Sequence, residues 1–204
     1  MSTQSNLAYA SYSDNPQLNV EYTTGVGVIG AGYWGPKLAR SFNAGGSSLL
    51  VGPDTTETRV KAVPLSDFQV VVFATHDLVA VQLAGVSEPA LALTPPAEGT
   101  ETDDGLLAVS EVAQLKLNTD WVILSACNTA AADGTPGANG LPGLAKAFFY
   151  AGSRALLVSH WPVVSDAAVA LTTRMLAAAK TGLTRAEAHR QAMMAMIDTR
   201  GSGQ

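Results

Sequence analysis

His76 and Cys127 are of the types that nucleophilic acyl transfer requires, and each sits where a buried strand should end. The run FQVVVFATH closes on His76, and the run DWVILSACNT carries Cys127, the one cysteine in the sequence. A free thiol near its ordinary pKa of about 8.5 is only a few per cent thiolate at neutral pH. An imidazole must therefore draw off its proton and later protonate the leaving amine. The two residues need closeness in space, not in sequence: they are 127 − 76 = 51 positions apart, room for a hairpin, a short helix and a return strand. Small neighbours (Ser125, Ala126, Asn128 and Thr129) leave the sulfur open to a substrate backbone. Backbone N–H groups past such a strand can hold an oxyanion, at roughly 2.7–4 kcal/mol per donor in other enzymes. Pattern alone also allows an inert buried thiol and a satisfied strand-end histidine, since free cysteine commonly behaves as a small hydrophobe.

The elements that must position this pair read as alternating strands and helices. GVGVIG (25–30) reads as a strand, Pro36 to Phe42 as a helix and SLLVG (48–52) as a second strand. Asp54 and Glu57 have capping-box spacing ahead of a helix over Arg59 to Val63, and the His76 strand follows. ALALT (90–94) and GLLAV (105–109) flank an acidic, proline-containing stretch, which predicts an exposed hairpin-like excursion. Ser110 can cap a short helix to Leu115. After the Cys127 strand come a glycine-rich loop, a helix from Pro142 to a stop at Gly152, and the strand ALLVSHWPV. Helices over Asp166 to Lys180 and from the capping box Thr184/Glu187 to about Asp198 finish the chain. Residues 1–24 lack periodicity and read as a poorly ordered N-terminal segment. The expected fold class is α/β with a mostly parallel central sheet, in which ligands bind at the carboxyl ends of the strands.

Composition narrows the partners. With 47% hydrophobic and 14% charged residues, 204 positions suffice for one domain core. Net charge is −5 and the pI about 5.1, and the twelve basic residues are scattered, so neither nucleic acid nor an anionic membrane is an expected partner. A lone cysteine fits a reducing compartment, and the polar opening has no signal-peptide pattern, so a cytoplasmic location is expected. No cluster has metal-ligand spacing.

Ordered blocks from about Asn43 to Asp198 resemble the CHAT peptidase family, caspase-like and separase-like cysteine proteases often found behind tetratricopeptide repeats. The blocks are DTTETRVKAVPLSDF, VVVFATH, EPALALTPP, DDGLLAVSEVAQLKLNTDWVILSACNTAA, GTPGANGLPGLAKAFFYAGSRALLVSHWPV and SDAAVALTTRML. The resemblance implies a three-layer αβα caspase-like fold over residues 43–204. It also implies His76 as catalytic histidine and Cys127 as nucleophile in an SACNT motif. It implies no cofactor, a protein or peptide substrate, and a repeat-containing partner protein. The family places glycine after the histidine, where the backbone N–H helps form the oxyanion hole; here the residue is Asp77. Asp tolerates the left-handed region better than most residues, but its carboxylate opposes a nearby thiolate and a developing oxyanion.

Upstream, GVGVIGAGYWGPKLARSF resembles the dinucleotide-binding opening of Gfo/Idh/MocA-type dehydrogenases. Residues 25–42 would then be a Rossmann-like strand, turn and helix. Gly30, Gly32 and Gly35 form GxGxxG, and Asp54, 54 − 30 = 24 positions on, could take ribose hydroxyls. Only half of a dinucleotide site is visible, so weak or undetectable binding is expected.

His160 and Trp161 end a strand and could line the same crevice as the dyad, and an acid among Asp103, Asp104 and Asp166 could bind a basic substrate side chain. His189, Met193, Met194 and Met196 have core-like helical spacing and are assigned no chemistry. Three function classes follow: a cysteine endopeptidase with backbone donors at Asp77 and Cys127, a weak or inactive caspase-like interaction module, and a dinucleotide-binding protein.

Overall fold

The structure is a computed structural model that describes residues 26–30, 48–78, 88–100, 102–125, 143–159 and 165–201. Four apolar runs form adjacent parallel strands: β1 (Val26–Gly30), β2 (Ser48–Val51), β3 (Val70–Phe73) and β7 (Trp121–Leu124). The short β8 (Leu156–Leu157) pairs with β7, also in parallel. The order across this sheet is β2-β1-β3-β7-β8, so the chain moves one way from β1 to β2 and the other way from β3 onward. The order thus reverses between β1 and β3, and in open α/β sheets the ligand crevice forms at such a reversal. The strand of the segment resembling a dinucleotide-binding opening therefore lies inside the sheet, between β2 and β3.

Both faces of the sheet are covered, which is why its strands are continuous Val/Ile/Leu runs and not alternating ones. Val26, Val28, Val70, Val72, Trp121 and Ile123 face one core, closed by Met175 and Leu176 of α4 (Ser165–Lys180) and by Ala188 and Ala192 of α5 (Arg185–Gly201). Ile29, Leu50, Val71, Phe73, Val122 and Leu124 face the other core. That second core is closed by Val60 of α1 (Glu57–Ala62), Val112 of α2 (Val109–Val112), and Leu144 and Phe148 of α3 (Gly143–Tyr150). The result is a three-layer αβα arrangement.

A second sheet stands on the α1 side: β4 (His76–Leu78), β5 (Ala90–Ala92) and β6 (Leu106–Ala108), antiparallel throughout. The expected hairpin excursion is thus present, with Leu91 and Leu107 fully buried rather than exposed.

The cap of α1 differs from expectation. Thr56, not Asp54, holds the N-cap and accepts the Arg59 N–H, while the Asp103 carboxylate accepts the Thr58 N–H at 3.2 Å. Asp54 lies instead in a short turn after β2, ion-paired with Arg59. Likewise α2 begins two residues early, with Ala108 and not Ser110 at its N-cap. Glu111 reaches back to the Ala108 N–H at 2.9 Å, and the Ser110 hydroxyl goes to Glu88 at 2.6 Å. The sequence-expected helix over 36–42, the glycine-rich loop before Pro142 and the segment 1–24 lie outside the described residues.

Candidate active site

β3 and β7 lie side by side in the register Val70↔Trp121 through Phe73↔Leu124. The offset is 124 − 73 = 51, the same as between His76 and Cys127. Each candidate catalytic residue thus comes three positions after a member of one register pair, and paired strands run only about 4.8 Å apart. The carboxyl end of β3 is held on both flanks. Ala74 N–H donates to the Ile29 carbonyl at 2.7 Å, and Ser125 N–H donates to the Phe73 carbonyl at 2.8 Å. Cys127 itself lies outside the described residues.

His76 does not close the first run, as its sequence suggests, but opens β4. The parallel ladder ends at Phe73, the chain passes through the buried Ala74 and Thr75, and His76 takes Ala92 of β5 as its new partner. The reason is a change of partner. Thr75 donates its hydroxyl to the Ala92 carbonyl, drawing the chain from one sheet into the other.

The register also fixes the Asp77 backbone. Val109 N–H donates to the Pro89 carbonyl and Leu93 N–H to the Gly105 carbonyl, so the odd-numbered residues of this stretch turn their polar groups to β6. Antiparallel strands alternate, so Ala90 and Ala92 turn theirs to β4, toward their partners Leu78 and His76. Asp77, between them, directs its N–H away from β5. A backbone donor beside the histidine is therefore not consumed by the β4–β5 ladder.

Around this edge sit two threonines, Thr55 buried and Thr94 half-buried. The Thr55 hydroxyl donates to the Gly30 carbonyl at 3.1 Å, the Thr94 N–H donates to the Thr55 carbonyl at 2.9 Å, and the Thr94 hydroxyl donates to the Gly52 carbonyl at 2.7 Å. These bonds tie the end of β5 to the carboxyl ends of β1 and β2. They also bear on the dinucleotide candidates, because the Gly30 carbonyl is bound to Thr55 and the Asp54 carboxylate to Arg59. Gly32 and Gly35 lie outside the described residues.

Asp104 is exposed at the same end of the small sheet as His76. It comes two residues before Leu106, which stands in the row His76–Ala92–Leu106, about 10 Å across two strand spacings. One of its carboxylate oxygens accepts the Leu106 N–H at 2.8 Å. Asp103 caps α1, and Asp166 lies in the first turn of α4. His160 and Trp161 are outside the described residues.

Sequence reasoning missed Glu57. Its side chain is only 1% exposed, and it pairs with Lys61, which bridges to Glu111 of α2 at 2.8 Å; Glu57 also accepts the Asp104 N–H at 3.2 Å. Burial pushes its carboxyl above the ordinary range against the opposing Lys61 bond. Burial pushes Glu111 the same way, yet the Lys61 ammonium and the Ala108 amide together hold it below that range. The Glu57/Lys61 spacing of four was the visible signal; burial came from the hairpin folding over α1.

A groove lined by Gln69, Val70, Asp120, Trp121, Lys180 and Arg185, among others, opens at the amino ends of β3 and β7. It lies at the far edge from His76. Its charges are paired: Asp120 meets Arg154 at 3.2 Å and Arg185 at 3.6 Å. Among the described residues no helix is long and apolar enough to cross a membrane, and no group of three or more His, Cys, Asp or Glu could hold a metal.

A family model described as the CHAT domain matches residues 35–202. The match begins at Gly35, within the stretch that resembles a dehydrogenase opening. No curated protein matches the chain.

Proposed function

The chain belongs to the CHAT-domain family, a caspase-like family of peptidase kind, and from that premise we propose that it is a cysteine endopeptidase working through His76 and Cys127. The observation that carries this reading is the shared offset: two neighbouring parallel strands paired at Phe73 and Leu124, each followed three residues later by one member of the dyad. In this reading the His76 imidazole takes the Cys127 thiol proton and the sulfur attacks the peptide carbonyl. The Asp77 and Cys127 N–H groups hold the oxyanion, and His76 returns the proton to the leaving amine. Water then hydrolyses the thioester. The course of the Asp77 amide away from β5 supports its part. Asp104, His160 and Trp161 are the candidate substrate contacts, with Asp104 suited to a basic side chain.

The substrate in this reading is a protein or peptide in the cytoplasm, and the resemblance to domains behind tetratricopeptide repeats favours presentation by a repeat-containing partner. A second reading, a weak or inactive interaction module, is favoured by one residue: Asp77 stands where the family carries glycine. Iodoacetamide at neutral pH tests the first. Cys127 should be alkylated in the folded protein, more slowly in His76→Ala, and Cys127→Ala should abolish cleavage of a peptide library. Alkylation only after denaturation would refute the dyad. Alkylation without any cleavage by the unmodified protein would support the interaction module.

A further inference from the structure

We propose that Thr75 is a positioning residue for His76, acting through a hydroxyl hook on the carbonyl of Ala92. The inference rests on the dyad reading for its catalytic consequence. Its structural basis is the two-residue passage between the sheets. Phe73 is the last residue of β3 in the parallel ladder and His76 the first of β4 in the antiparallel one, so Ala74 and Thr75 alone carry the chain across. Ala74 is held by the Ile29 carbonyl, on the parallel side. Thr75 is 3% exposed, and its hydroxyl donates to Ala92, seventeen residues on.

Ala92 is also the register partner of His76, and the alternation of the ladder turns its polar groups toward β4. A peptide carbonyl has two lone pairs, so it can accept from the His76 backbone and the Thr75 hydroxyl together. Two consecutive residues are then tied to one point on β5. That point is itself fixed, because Leu93 is bonded to Gly105 and Thr94 to Thr55 and Gly52, at the ends of β6, β1 and β2. The hook thus refers the histidine backbone to the same sheet edge from which the Cys127 strand departs. A misplacement of about 1 Å at such a site can cost about 100-fold in rate.

Thr75→Val keeps the β-branch and the volume but removes the donor, and Thr75→Ser keeps the donor. For Thr75→Val the expected result is a fall in kcat of ten-fold or more with KM within two-fold of the unmodified protein, and recovery to within three-fold in Thr75→Ser. Amide hydrogen exchange is the second measurement and needs no activity. The His76 and Leu78 amides should exchange at least ten-fold faster in Thr75→Val, with the β7 amides unchanged. Unaltered kcat in Thr75→Val, equal damage in Thr75→Ser, or unaltered exchange at His76 would each overturn the proposal. If the unmodified protein cleaves no peptide, the peptidase reading fails, and exchange at His76 alone decides whether the hook exists.

Discussion

Phe73 stands at the last register pair of β3 and β7, and its removal should unfasten the edge on which the proposed chemistry depends. The side chain is fully buried, and its ring centroid lies 5.2 Å from that of Phe148 on α3, the planes tilted by 55°. Phe→Ala in a packed core costs about 3–5 kcal/mol, of which tilted aromatic pairing accounts for about 0.5–1.5 kcal/mol beyond buried area. Against a total stability of about 5–15 kcal/mol, Phe73→Ala should leave the protein folded but weakened, with Tm lower by on the order of 10 °C. Urea unfolding of Phe73→Leu, Phe148→Leu and the double variant isolates the pair. The expected coupling is about 1 kcal/mol, with the denaturant slope unchanged. Phe73→Ala costing under about 1 kcal/mol, or a coupling near zero, would refute the packing described for this edge.

Three further outcomes are expected. Gly152→Ala should destabilise by more than about 2 kcal/mol, because φ is +105° and a Cβ would meet the Leu117 carbonyl oxygen at 2.3 Å; Gly182→Ala, at φ +87° with open space around it, should cost about 1 kcal/mol. Equal urea midpoints for the two would contradict this. Glu187 is held down to about 2 by its hydrogen bonds from Arg190 and then Gln191. Its folded-state pKa is depressed, so its contribution is present above about 4.5 and fades as pH falls through about 2; thermal melts of Glu187→Gln should show a shallower acid slope in that window, and parallel slopes would argue against it. On the proposed dyad reading, Asp77→Gly should raise kcat/KM toward small peptides by about ten-fold, on the order of 1.4 kcal/mol, because that reading sets a carboxylate against a thiolate and a developing oxyanion; an unchanged value with an active parent would refute that opposition.

The parallel strands were legible because burial on both faces leaves uninterrupted apolar runs, as in VGVIG, VVVF and WVIL. The two last helices were legible from their caps and stops. The break after Phe73 was not, since Ala74-Thr75-His76 reads as a continuation of the run and only the distant Ala92 diverts it. For the same reason Asp54 looked like a cap: its spacing to Glu57 is right, but Thr56 and Asp103 take the α1 amides while Arg59 draws Asp54 aside. Glu57 could not be read as buried, because what covers it arrives nearly fifty residues later. At the candidate site the residue types and the offset of 51 were visible, whereas the Thr75 bond and the Asp77 backbone direction exist only once β5 is in place.

The pairing of β3 with β7 also sets when the site can come into being. Closing a loop of 51 residues costs about 3.5 kcal/mol of chain entropy plus a constant, taken as (3/2)RT ln n. Parallel pairing repays that only after the intervening hairpin and α2 have been laid down, which places it among the slower steps of folding. A growing chain that has already emerged past His76 has no nucleophile beside it. Nor does one released before Leu124 find its register on Phe73. Non-local assembly thus works as a timer: the proposed dyad stays unassembled until the chain has been made past Cys127 and β7 has been threaded into the sheet beside β3.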